Sequence, residues 1–232
     1  MKPTSLSIFV DYRCNFNCDH CSVGSTSNST SPLSLDSSKE ILNRGRELGF
    51  RPAAFTGGEP TLALDNLITL IKHAKSVGYI TRVVSNGWWA KDEDAASLML
   101  TKLKTARLDE INMSFDDFHL DLPKERWKAE QRNLINVARA SSSLGMKFGI
   151  RIIKKRNSVV IKDFVVNYFS GELGINVRIS HICYACGLLT TQYRNEMIGY
   201  FRDHRSDILV NNVLLNPRAR ESVIMACNKG LL

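Results

Sequence analysis

The chain contains no apolar stretch long enough to cross a bilayer or to form the core of a signal peptide. The nearest approach, residues 6–10, is interrupted by Ser7 and followed by Asp11. Runs of like charge are short as well: the longest basic one is Lys154-Lys155-Arg156, which excludes a charged tail. With only 14 glycines and 6 prolines, collagen-like and low-complexity structure are excluded. A cytoplasmic chain with no membrane partner is the default expectation. Cysteine is scarce, six residues in all, and in a reducing compartment these serve as metal ligands, reactive thiols or core residues, not as a disulfide framework.

What is present suits a globular protein. Hydrophobic residues at 44% and charged residues at 23% match soluble domains, and 232 residues can bury a core without covalent staples. The 31 Lys and Arg outnumber the 23 Asp and Glu, for a formal charge of +8. Such an excess fits nucleic acid, an acidic peptide or an anionic cofactor, and equally a plain solvated basic surface.

Hydrophobic period and turn residues mark six strands, at 6–11, 51–55, 79–85, 110–115, 146–153 and 176–182. Helices are predicted between them. The first starts at Ser37, where Ser37-Ser38-Lys39-Glu40 fits a capping box, and stops at Gly49. The second starts at Asp65 and the third at Asp92; residues 124–144 and 158–169 supply two more, with a short one near 196–202. This alternation implies an α/β protein with parallel strands and right-handed crossovers, built as a (β/α) barrel or as a doubly wound sheet. In either architecture functional groups gather at the carboxyl ends of the strands. The unusual motifs of this chain all fall there.

The first motif is Cys14-Asn15-Phe16-Asn17-Cys18-Asp19-His20-Cys21, three thiols in eight residues. A loop of this kind can wrap a thiophilic centre. A structural zinc wants four ligands, here completed by His20 or a distant residue, whereas a four-iron cluster on three cysteines leaves one iron open. Spacing alone also permits three unligated thiols. The second motif, Thr56-Gly57-Gly58-Glu59-Pro60, interrupts any regular element at a strand end.

The CxxxCxxC spacing of Cys14, Cys18 and Cys21, directly after the first strand and followed by Gly57-Gly58-Glu59-Pro60, resembles the radical S-adenosylmethionine (SAM) superfamily. His20 stands where many members carry an aromatic residue. The resemblance implies a partial (β/α)6 barrel over residues 1–182, with a short cysteine-containing extension over 183–232. It assigns Cys14, Cys18 and Cys21 to a [4Fe-4S] cluster. It assigns Gly57, Gly58, Glu59 and Pro60 to the amino group of SAM, and Ser85 and Asn86, where the third strand ends, to the same cofactor. Ser114 and Asp116 fall at the ribose, and Arg151, in the fifth strand, at the carboxylate. Strand alternation leaves Arg151 free to face inward or out to solvent.

The chemistry implied is reductive cleavage of SAM to methionine and a 5'-deoxyadenosyl radical that abstracts a hydrogen from the substrate. An external one-electron donor such as flavodoxin or ferredoxin is then required. Trp88, Trp89, Asp117, His119, Lys154 and Lys155 are candidates for substrate contact, each with an ordinary packing or solvated role as its alternative. Cys183, Cys186 and Cys227 resemble the start of the SPASM or twitch extensions. They imply an auxiliary metal or cluster, which His181 could complete, or they are core thiols. The resemblance favours a peptide substrate. A nucleoside, RNA or sugar substrate is the second enzyme reading, and a non-catalytic zinc- or cluster-binding regulatory module the third. Residues 226–232 show no terminating feature, and the full extension needs more cysteines than remain: a truncated chain, a rudimentary site and core thiols are the three readings.

Overall fold

The computed structural model describes residues 5–16, 18, 25–29, 34–115, 124–153 and 178–182. It divides into two compact units, one ending at Thr81 and one beginning at Arg82.

The first unit contains β1 (Leu6–Asp11), α1 (Leu35–Glu47), β2 (Pro52–Gly57), a 3-10 turn (Pro60–Ala63) and α2 (Leu64–Ser76). β1 and β2 pair in parallel, and the register brings Asp11 opposite Gly57 after an irregularity between Phe9 and Asp11. Parallel neighbours need a crossover, which α1 supplies. Its buried positions, Ser38, Ile41, Leu42 and Gly45, recur at the spacing of one helical face. Gly45 leaves room for Tyr79, whose hydroxyl donates to the Leu42 carbonyl at 2.8 Å. A Cβ at Gly45 would stand 2.8 Å from that hydroxyl. Tyr79 is 1% exposed, and burial pushes its phenol up to about 12, with Arg46 opposing.

Two helix starts differ from expectation. α1 is capped by Ser34, three residues ahead of Ser37, its hydroxyl accepting from Ser37 N at 3.1 Å. Serines at 34, 37 and 38 are chemically equal as caps, so local pattern could not rank them. α2 is led into by the 3-10 turn at Pro60, with Glu59 as its cap and Asp65 only in the first turn. Proline ends β2, but its fixed φ also suits the first position of a helix.

The second unit holds β3 (Ile80–Ser85, whose first two residues belong to the first unit), α3 (Glu93–Thr105), β4 (Glu110–Ser114), α4 (Lys124–Ser143), β5 (Lys147–Ile153) and β6 (Arg178–Ile182). β3 pairs with β4, β4 with β5, and β5 with β6, all parallel. α3 begins as expected: the carboxylate of Asp92 accepts from Ala95 N at 2.8 Å. Val83, Ile111, Met113, Phe148 and Ile150 from the strands are buried, as are Leu100 and Leu103 of α3 and Leu134 and Val137 of α4. Each such side chain contributes about 1.5–3 kcal/mol by leaving water. The helix expected over 158–169, and the one near 196–202, lie outside the described residues.

Candidate functional site

In the first unit the carboxyl ends of β1 and β2 carry the cysteine loop and the Gly57–Pro60 turn. Cys14 and Cys18 are half-buried thiols, and Cys14 Sγ accepts from Phe16 N at 3.4 Å. The amide of Cys14 donates to Thr26 O at 3.0 Å, closing the loop on itself. Cys21 and His20 lie outside the described residues.

The loop enters through a buried carboxylate. Asp11 is 2% exposed and accepts from the backbone N of Arg13 at 2.9 Å and from its Nε and Nη2 at 2.9 and 2.5 Å. Burial raises its pKa, but these bonds and the adjacent charge outweigh that and hold the carboxyl below its ordinary value. Asp11 O and Arg13 O then accept from Gly58 N and Glu59 N, each at 2.8 Å. A Cβ on Gly57 would overlap Asp11 O, and one on Gly58 would overlap the carbonyl oxygens of Arg13 and Tyr12. The two glycines therefore admit the chain that leads into the cysteines. Glu59 is fully buried, its Oε1 accepting from Thr61 N at 3.1 Å and Thr61 Oγ1 at 2.6 Å.

In the second unit, Ser85 ends β3 and its buried hydroxyl accepts from Gly87 N and from Trp89 Nε1, both at 3.0 Å. Asn86 Oδ1 accepts from Trp88 N at 3.1 Å. Asn133 and Asn136 of α4 hold the same loop, donating to Gly87 O at 3.1 Å and Ala90 O at 2.9 Å. Trp89 is thus a packed residue, while Trp88 is half-buried. Ser114, half-buried at the end of β4, lies in register with Arg151. Phe115 beyond it is buried, stacks on Trp127 at 4.8 Å, and donates its amide to Arg151 O at 2.9 Å.

Arg151 is 9% exposed and, among the described residues, its Nε has no hydrogen-bond partner. Burial lowers its pKa to about 10, with Arg82 adding to the fall and Glu110 opposing it. Glu110 accepts from Arg82 Nη2 at 2.9 Å and from Asn112 Nδ2 at 3.0 Å. Asp116, Asp117, His119, Lys154, Lys155, Cys183, Cys186 and Cys227 lie outside the described residues, as does the side chain of His181.

Sequence reasoning passed over Asp11, Arg13, Arg82, Glu110 and the asparagine pair of α4. A signal existed for some of them. An ionisable residue at the end of an apolar strand, such as Asp11, needs a partner, and asparagines three apart on a helix face point at one neighbour.

The family model of the Radical SAM superfamily matches residues 8–161. The chain belongs to the radical SAM superfamily. Membership brings the cofactors of these enzymes, SAM and a [4Fe-4S] cluster. Two half-buried thiols, one already accepting a backbone N–H, are a donor set suited to an iron–sulfur centre. Among the described residues nothing accepts from the buried Nε of Arg151, a donor that suits an anionic ligand group. The parallel α/β alternation is that of the superfamily's partial (β/α)6 barrel.

Among curated relatives, YydG of Bacillus subtilis strain 168, named for peptide biosynthesis, is 24% identical over 206 residues, covering 87% of this chain and 61% of its own. A protein of Sulfolobus acidocaldarius named as a GTP 3',8-cyclase is 29% identical over 167 residues, 69% of this chain and 50% of its own. The PqqA peptide cyclase of Bradyrhizobium diazoefficiens is 26% identical over 160 residues, 68% of this chain and 40% of its own. The chain thus spans 40% to 61% of the length of these three relatives.

Two solved structures share the fold. Native anSMEcpe with bound AdoMet and Kp18Cys peptide aligns at TM-score 0.54 and 18% identity, over 89% of this chain and 62% of that one. Methylornithine synthase (PylB) aligns at 0.55 and 11%, over 86% and 61%. Among the described residues, no helix is long and apolar enough to cross a membrane.

Proposed function

We propose that this chain is the core of a radical SAM enzyme that abstracts a hydrogen from a peptide substrate. Residues 1–182 form the core and 183–232 an extension. Cys14, Cys18 and Cys21 hold the cluster. When bound, the cluster supplies the electron that splits SAM into methionine and a 5'-deoxyadenosyl radical. The carbonyls of the Gly57–Pro60 turn receive the amino group of SAM, and buried Glu59 adds negative charge there. Ser114 and Asp116 hold the ribose, with Ser85 and Asn86 shaping the loop after β3. Arg151 pairs with the carboxylate, which relieves its own burial. Flavodoxin or ferredoxin delivers the electron.

The observation that carries this reading is the interlocking of the cysteine loop with the Gly57–Pro60 turn in one unit. For the peptide, the support is that relatives named for peptide biosynthesis and peptide cyclisation match over 87% and 68% of the chain. A nucleotide substrate is the second reading, favoured by the GTP 3',8-cyclase relative and by the net charge of +8.

Anaerobic reconstitution of the full chain tests the core claim. The expected result is about four iron and four sulfide per chain and release of 5'-deoxyadenosine from SAM after reduction. Ala at Cys14, Cys18 or Cys21 should abolish both. Stoichiometric zinc without SAM cleavage would refute the reading. Deuterium transfer into deoxyadenosine from labelled peptides or nucleotides separates the two substrate classes.

A further inference from the structure

Asp11 is an unusual residue to find at the end of a buried strand. Ionised and 2% exposed, it is satisfied from only two residues away, by the backbone and guanidinium of Arg13. The Arg13 side chain is 51% exposed, so the guanidinium reaches in from the surface. Drawing Arg13 back onto Asp11 turns the chain, and the turned chain presents Asp11 O and Arg13 O to the amides of Gly58 and Glu59. The next residue is Cys14. No room is left for sliding, because the backbones already touch where Gly57 and Gly58 lack a Cβ.

We propose that Asp11 is a positioning residue: by gripping Arg13 it fixes the backbone leading into Cys14 against the Gly57–Glu59 turn. Its carboxylate bonds to Arg13, and it acts through that residue. The consequence rests on the reading above, that Cys14 and Cys18 hold the cluster and the turn receives the amino group of SAM. The clip then sets the spacing between the two, and loosening it weakens SAM binding more than cluster uptake.

The test uses the full chain with Asp11→Asn, Asp11→Glu and Arg13→Ala; the last removes a half-exposed side chain and spares the core. In metal-free protein, amide exchange at Gly58 and Glu59 should rise at least about tenfold in Asp11→Asn and Arg13→Ala, from loss of charge-assisted bonds. The Phe50 amide, which donates to Gly45 O at 3.0 Å, serves as control and should not change. Unchanged exchange at Gly58 and Glu59 overturns the proposal. In reconstituted protein, Arg13→Ala should keep its iron, while the SAM concentration that half-saturates the change in the cluster's paramagnetic spectrum rises about tenfold. Asp11→Glu should recover part of that loss. Wild-type half-saturation in Arg13→Ala also overturns the proposal. If the wild-type chain takes up no cluster, the enzyme reading fails, and the exchange measurement still decides the clip.

Discussion

Replacing Gly58 by Ala would put a methyl group into the carbonyl oxygens of Arg13 and Tyr12. Both obstacles are backbone, so neither can swing aside as a flexible side chain would. Relief requires the strand end and the turn to separate, which stretches the Gly58–Asp11 and Glu59–Arg13 hydrogen bonds, now 2.8 Å each. Overpacking of this kind costs about 1–3 kcal/mol and two weakened backbone bonds about 1 kcal/mol each. The sum, roughly 3–5 kcal/mol, is a large share of the 5–15 kcal/mol that stabilises a typical domain. Urea unfolding of the metal-free chain should show the midpoint lowered by at least about 1 M. Gly49→Ala is the control. Its φ of +93° is strained for alanine, but nothing lies within 4 Å of the added Cβ, so the cost should stay near 1–2 kcal/mol. If Gly58→Ala unfolds with the wild type yet no longer binds SAM, the glycine makes room for a ligand and not for the carbonyls of Arg13 and Tyr12.

Three further outcomes follow from single side chains. Tyr79→Phe removes the bond to Leu42 O and should cost about 1 kcal/mol in urea unfolding. The Tyr79 pKa is raised to about 12, so its contribution is complete below the unfolded value of 10.0 and lost as pH rises through the folded value. The gap between wild type and Tyr79→Phe should therefore narrow between pH 10 and 12; a constant gap counts against the assignment. Arg151 has a folded pKa of about 10 against 12.5, so its charge opposes folding below the folded value. Arg151→Met should leave the metal-free chain as stable or about 1–3 kcal/mol more stable while raising the SAM concentration for half-saturation; marked destabilisation would make Arg151 a structural cation. Asp92→Ala removes the cap on α3 and should cost about 1 kcal/mol by thermal unfolding.

Much of the fold was legible because its signals are local. Short buried runs ending in turn residues marked the six strands, and Asp92 marked the start of α3, since each pattern depends on neighbours within a few positions. The caps of α1 and α2 were misjudged for the same reason. Several hydroxyls in a row, or a proline that can both end a strand and open a helix, leave local pattern without a ranking.

The three cysteines and the Gly57–Pro60 turn could be picked out from spacing alone, because wrapping a centre needs close residues in one loop. What Gly57 and Gly58 make room for could not. That follows from the register placing Asp11 opposite Gly57, residues far apart in the chain. Whether Arg151 faced water or protein was open for a similar reason: strand alternation assigns a residue to one of two faces but does not say what covers each. Sequence by itself thus determined which elements form and which chemical groups the chain carries. Tertiary structure decided which of those groups meet, because burial and register are set by packing between segments distant in sequence.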